Sequence, residues 1–304
     1  MIQVFLLFGI ICAALIIRER RIVRLIFLMG VFSLISSVCI LLFAAPDVAM
    51  AEAVVSAFST IIFIVCFEKY YGLVDDETAP AKKTPIRFIA PIIFTALLAA
   101  LFIAFIPDNP PNTYLKERYL ALFARDIGGE NAVTAVYMGY RMYDTLFEAL
   151  LLLVSIVAVI HLSRHAEMSV NDGQPHGLQG SAIAVITIRL ICPVLLLFSV
   201  YLVMNGHISP GGGFQGGVMG ASIFICRYMI YDIYDIQIKK FLTIEKLIYV
   251  GIILLTVLFI YVGLDRYLPI PKTVYLIMMN LLLGVKVMCG FFIVFYRFIA
   301  FERR

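Results

Sequence analysis

The 304 residues are 62% hydrophobic and 14% charged, with a mean hydropathy of +1.00. Soluble domains run at about 45–50% apolar and about 25% charged residues, so a water-soluble globule is excluded, and a net charge of +4 is too slight to point to a nucleic-acid partner. The long continuous apolar runs also exclude a β-barrel, which is built from alternating segments of about ten residues, and leave an all-α polytopic membrane protein.

Since a spanning helix needs about 20 apolar residues, the chain divides into nine candidate spans, roughly 1–17, 24–45, 48–67, 87–106, 144–162, 183–204, 214–231, 246–264 and 273–298. The first stretch has no basic region before it and arginines after it, so it reads as a membrane helix with its N-terminus outside rather than as a cleavable signal. Placing the Arg18–Arg24 turn inside and alternating puts 15 Lys and Arg on the inner side. Only 6 (Lys116, Arg118, Arg125, Arg141, Arg266 and Lys272) fall on the outer side, with Arg189, Arg227 and Lys286 inside spans. The positive-inside rule therefore predicts N-terminus out and C-terminus in.

Two connectors, the charged 68–86 with Pro80 and Pro85 and the polar 165–182 with Gly173, Pro175, Gly177 and Gly180, separate three helices, then two, then four. They predict modules at 1–78, 79–178 and 179–304. Between the fourth and fifth spans lies an outer segment, 107–143. In it Leu115, Tyr119, Leu122 and Phe123 fall at helical spacing with charges on the other faces, and Gly128-Gly129 follows. This predicts a short amphipathic helix on the outer surface. No internal repeat is visible, so an inverted-repeat transporter is not supported.

Charged groups inside spans are costly and face a protein interior or a watery path. Pro46 and Asp47 mark a helix start, which puts Glu52 about 8 Å deep at about 1.5 Å per residue. That is the position of a proton- or sodium-binding carboxylate, or of a structural acid paired to a neighbour. Glu148 lies one turn after Asp144, and two acids at this spacing repel when both are charged. One of them then holds a proton or shares a cation, unless Asp144 is a plain N-cap. Lys286 sits near mid-membrane, where it is a proton relay or a fixed counter-charge for Glu52 or Glu148. Arg189 and Arg227 lie nearer the inner surface and read as snorkelling residues. His161 and His165 read as interfacial histidines before proton shuttles.

The glycine-rich stretch Gly206-His207-Ile208-Ser209-Pro210-Gly211-Gly212-Gly213-Phe214-Gln215-Gly216-Gly217 lacks the Lys-Ser/Thr of a phosphate-binding loop and follows no strand. Such glycines let backbones approach closely in membranes or form a tight re-entrant turn. Cys12, Cys39, Cys66, Cys192, Cys226 and Cys289 lie in or beside apolar segments with no CxxC pair. Bound redox metal is therefore not expected, and no metal site or cofactor is predicted in this chain.

Together these motifs resemble the Mrp-type multisubunit Na+/H+ antiporter family. His207 to Gly217 is similar to the signature of its B subunit, whose basic residues Arg189 and Lys286 would match. Tyr143-Asp144-Thr145-Leu146-Phe147-Glu148 is similar to the Phe-Asp-Thr-Leu-Gly-Glu motif near the end of the A subunit, departing at Phe147. Ala45 to Glu52 resembles the three-helix module before it. The resemblance covers nearly the whole chain as C-terminal modules of the A subunit joined to the B subunit, an arrangement shared with membrane-bound hydrogenases and related complex I-like respiratory complexes. It implies a multi-pass subunit of the cell (inner) membrane, moving Na+ and/or H+ beside other antiporter-like membrane subunits and a redox arm. Without the long antiporter core of the A subunit, the chain resembles the redox-linked complexes more than a free-standing antiporter. Asp47, Glu52, Asp144, Glu148 and Lys286 would serve ion translocation; Gly206, His207, Pro210, Gly211, Gly212, Gly213, Phe214, Gly216 and Gly217 would form the family loop. A bridging structural subunit is the alternative. A self-sufficient transporter or membrane enzyme is disfavoured, because no nucleophile constellation or metal-ligand cluster is visible.

Overall fold

The computed structural model describes residues 1–71, 86–104, 113–165, 182–230, 238–262 and 271–300, and among them every regular element is a helix. In chain order these are α1 (Ile2–Arg18), α2 (Ile22–Leu42), α3 (Pro46–Tyr71), α4 (Ile86–Ala104), α5 (Tyr114–Asp126) and the single turn α6 (Ala132–Ala135). A π-helical turn at Val136–Tyr140 leads into α7 (Met142–His165). Then come α8 (Ala182–Asn205), α9 (Gly213–Ile230), α10 (Ile238–Val257) with a second π-helical turn at Leu258–Val262, and α11 (Lys272–Ala300). Most of the two connectors expected at 68–86 and 165–182 lies outside the described residues.

Each of the nine expected apolar segments carries a helix among the described residues. Among the described residues, six helices, in α2, α3, α7, α8, α10 and α11, are long and apolar enough to cross a membrane. The chain is thus a multi-pass helical membrane protein. By length and composition α1 falls short at 17 residues. α9 has 18 residues and includes Gly213, Gly216, Gly217, Gly220, Gln215 and Arg227, which lower its hydropathy.

Local chemistry sets the helix boundaries. After α1 the Glu19 carboxylate accepts hydrogen bonds from the backbone N–H groups of Arg20 (3.0 Å) and Arg21 (3.1 Å), closing the turn into α2. Those backbone donors hold its carboxyl below the usual range, with the Arg24 and Arg21 charges adding to the effect. Pro46 opens α3 at the position where its missing N–H costs nothing, and Asp47 follows in the positive first turn. α5 is the expected amphipathic helix; Gly128 and Gly129 follow it with φ of 88° and 83°, a backbone that favours glycine. Asn131 then caps α6, its Oδ1 accepting from Val133 N (2.9 Å) and Thr134 N (3.4 Å).

α11 is the central helix. Of its spanning window 56% is buried within the chain, against 11–17% for the other five. It packs on α7, α8, α9, α10 and α3. α9 is wedged between α8 and α11 because its glycines present bare backbone to both. A Cβ on Gly213 would stand 2.4 Å from Asn280 O, one on Gly217 2.6 Å from Gly284 O, and one on Gly216 2.9 Å from Ser199 O. Close approach of this kind is how helices associate where no hydrophobic force acts between them. α3 joins the first three helices to the last four through Phe58, which meets Phe291 edge-on at 4.8 Å between ring centroids.

Candidate functional site

The glycine-rich loop between α8 and α9 is where all three expected modules meet. From the first comes Asp47, buried at the start of α3, whose Oδ1 accepts from Gly211 N (3.0 Å) and Asn131 Nδ2 (3.2 Å). Its backbone oxygen accepts from Gln215 Nε2 (3.4 Å). From the second come Asn131 and Thr134. Asn131 Nδ2 also faces Gly206 O (3.3 Å) and Ser209 O (3.1 Å), and Thr134 Oγ1 donates to Gly206 O (2.6 Å). The backbone N–H groups of Glu130 and Asn131 donate to His207 O at 2.8 and 3.0 Å. From the third, Asn280 Oδ1 in α11 accepts from Gly213 N (2.8 Å), at the point where the unpaired first-turn donors of α9 begin.

Two glycines make this fit possible. Gly211 and Gly212 have φ of 146° and 152°. A Cβ on Gly212 would lie 2.5 Å from the Tyr137 hydroxyl oxygen. The His207 ring turns back to the Met204 carbonyl, 3.0 Å away, and Pro210 precedes the first of these glycines. The loop is a tight turn between two helices rather than a cradle for phosphate. Its backbone groups are spent on the neighbouring modules.

The other expected acids occupy three different settings. Glu52 is half-buried between α2 and α3, where Ser33 Oγ donates to its Oε1. Asp144 is exposed in the first turn of α7 and pairs with Arg141, Nη2 to Oδ2 at 2.5 Å, so the repelling pair of acids is compensated on one side. Glu148, one turn further along, lies on the outer flank of the chain beside exposed Phe147 and Leu151.

Lys286 is fully buried, and its partner is neither Glu52 nor Glu148. Its Nζ is bonded to Glu245 Oε1, and both side chains are 0% exposed. The Tyr249 ring lies 4.9 Å from the Nζ. Arg189, Arg227 and His161 are exposed on the surface of the chain, in keeping with an interfacial reading; the side chain of His165 lies outside the described residues.

Glu245, Asn131, Thr134 and Asn280 are site residues that the sequence pattern does not single out. Glu245 stands beside Lys239, Lys240 and Lys246, which read together as an aqueous boundary and place the start of the eighth span at 246. The helix in fact begins at Ile238. Glu245, Ile252 and Thr256 form its buried stripe at spacings of seven and four, the signal that could have identified the glutamate.

Residues 183–301 match the family described as a domain related to the MnhB subunit of Na+/H+ antiporter, and residues 7–71 match MbhD, the D subunit of MBH. Among curated relatives, the probable K(+)/H(+) antiporter A/B subunit of Rhizobium meliloti (strain 1021) is 23% identical, across 73% of this chain and 25% of its own length. The antiporter protein mnhA2 of Staphylococcus haemolyticus (strain JCSC1435) is 28% identical, across 53% of this chain and 19% of its own. The chain therefore spans a quarter or less of the length of these relatives. Among solved structures, the Mrp complex of Dietzia sp. DQ12-45-1b shares the fold over 96% of this chain and 34% of that one, with a TM-score of 0.76 at 18% identity. A chain of the membrane-bound sulfane sulfur reductase, an archaeal respiratory membrane complex, is 26% identical with a TM-score of 0.56, over 69% of this chain and 95% of that one. The chain thus carries a region matching MbhD in its first helices and an MnhB-related domain in its last four, and it is similar in sequence and fold to A/B-type subunits of Mrp antiporters.

Proposed function

We propose that this chain is a membrane subunit of a multisubunit ion-translocating complex of the cell (inner) membrane, contributing to movement of Na+, or Na+ and H+, coupled to a redox arm. The observation that carries the reading is the pair of carboxylates in spanning helices that have no basic hydrogen-bonding partner among the described residues: Glu52 held by a serine hydroxyl, and Glu148 on the flank of α7. A carboxylate at membrane depth needs a cation, a proton or a polar path. The A/B-type relatives support the antiporter side, and the likeness to a chain of an archaeal respiratory complex supports the redox side. The chain crosses nine times, N-terminus out and C-terminus in, as its basic residues favour.

The test is substitution of Glu52 and Glu148 by Gln in the assembled complex, measuring both yield and flux. Gln keeps volume and hydrogen bonding while removing the charge, so assembly survives and sodium or proton transport falls sharply. Unchanged flux with intact assembly in both variants overturns the assignment.

A second reading, in which the chain mainly bridges its neighbours, is favoured by Asp47, whose carboxylate serves as a hydrogen-bond acceptor joining modules. On that reading Glu→Gln at 52 or 148 lowers the amount of assembled complex, with flux per complex unchanged.

A further inference from the structure

We propose that Glu245 and Lys286 form a proton-transfer site in the interior of the last four helices, distinct from the carboxylates Glu52 and Glu148. The inference rests on the reading of the chain as part of an ion-translocating complex.

The geometry is unusual for a purely structural ion pair. A buried pair compensates its desolvation only when the remaining lone pairs and protons are also satisfied. Here Glu245 Oε1 takes the Lys286 Nζ, whereas Oε2 is fully buried with no hydrogen-bond partner among the described residues. That oxygen is the one place in the pair where a further proton can be accepted without breaking the existing contact. Among the described residues, the other titratable groups beside the pair are the Tyr249 ring, against the Nζ, and Cys289, three residues along α11 and buried. Neither brings an opposite full charge.

Two states of equal net charge follow. In one, a carboxylate faces an ammonium. In the other, a carboxylic acid faces an amine. Passage from the first to the second occurs when Nζ releases a proton to water on one side and Oε2 takes one from water on the other; one N–H bond breaks and one O–H bond forms. The acid then gives its proton to the amine, breaking that O–H bond and forming an N–H bond. This restores the ion pair and leaves one proton moved across the site. The pair has no net charge in either resting state, which suits a site buried among the helices.

The test uses the complex in membrane vesicles. Removing one partner strands the other charge and is expected to unfold the site, so the decisive variants keep the site balanced. The double variant Glu245→Gln with Lys286→Met has no charge to strand. It is expected to assemble like the wild type and to lose proton flux by about a hundredfold, as for loss of a positioned proton-transfer group. Lys286→Arg keeps the ion pair but cannot release a proton, and is expected to assemble with the same loss. Wild-type flux in either assembled variant overturns the proposal. A failure of the wild-type complex to move any ion instead overturns the functional reading on which it rests.

Discussion

Asp47 illustrates how much one side chain can hold at a membrane boundary. Replacing it by Ala leaves the buried Gly211 N–H without its acceptor and removes one of the three acceptors around Asn131 Nδ2, at about 1–3 kcal/mol. The Asp47→Ala chain is expected to melt at a lower temperature in detergent, whereas Asp47→Asn, which keeps an oxygen, loses less. Equal melting of all three would show that the loop is held by its backbone alone. Glu19 makes a prediction with pH. Its carboxyl is held below its ordinary value by backbone donors in the folded turn, so its contribution is present above the ordinary carboxylate range and is lost as pH falls through the lowered value. Protection of the Arg20 and Arg21 amides from hydrogen exchange, relative to the free-peptide rate at the same pH, is expected to fall at acid pH, and Glu19→Gln should reproduce much of that loss at neutral pH.

At the scale of elements, the glycines of α9 separate close packing from mere tolerance. A Cβ at Gly213 or Gly217 meets backbone oxygen at 2.4 or 2.6 Å, and backbone cannot swing aside as a side chain can. Gly213→Ala and Gly217→Ala are expected to weaken the packing of α9 on α11 by roughly 1–3 kcal/mol. In α10 Gly251 has nothing within 4 Å of such a Cβ, so Gly251→Ala should be neutral or stabilising by up to about 1 kcal/mol. Thermal melting of the three variants checks the contrast. The helices themselves are largely legible from sequence, because continuous apolar runs and Pro, Gly and basic boundaries act locally. The loop is legible as unusual, though not as a junction, since its partners Asn131 and Asn280 are neutral residues distant in sequence. Lys286 stands out as a lone charge in an apolar run; Glu245 does not, because neighbouring lysines mask it. Pairing of this sort is decided by which helices end up adjacent, and periodicity within one helix does not report it.

For the whole molecule, the spanning windows outside α11 are mostly unburied by the chain itself. Leu190, Val194 and Leu197 on α8, and Phe147, Leu151 and Val154 on α7, lie open. Lipid suits these residues, while Glu148 among them does not. We expect affinity purification of the tagged chain to recover other large membrane subunits with it; recovery as a lone, stable, transporting monomer would contradict this. The central position of α11 also bears on how the chain is made. It follows in sequence the helices α3, α7, α8 and α9 that it holds together, so those helices must leave the ribosome and wait in the bilayer before the bundle can close. Its own lysine need not wait: α10 and α11 are consecutive, and a hairpin of the two carries Glu245 and Lys286 into the membrane already neutralised by each other.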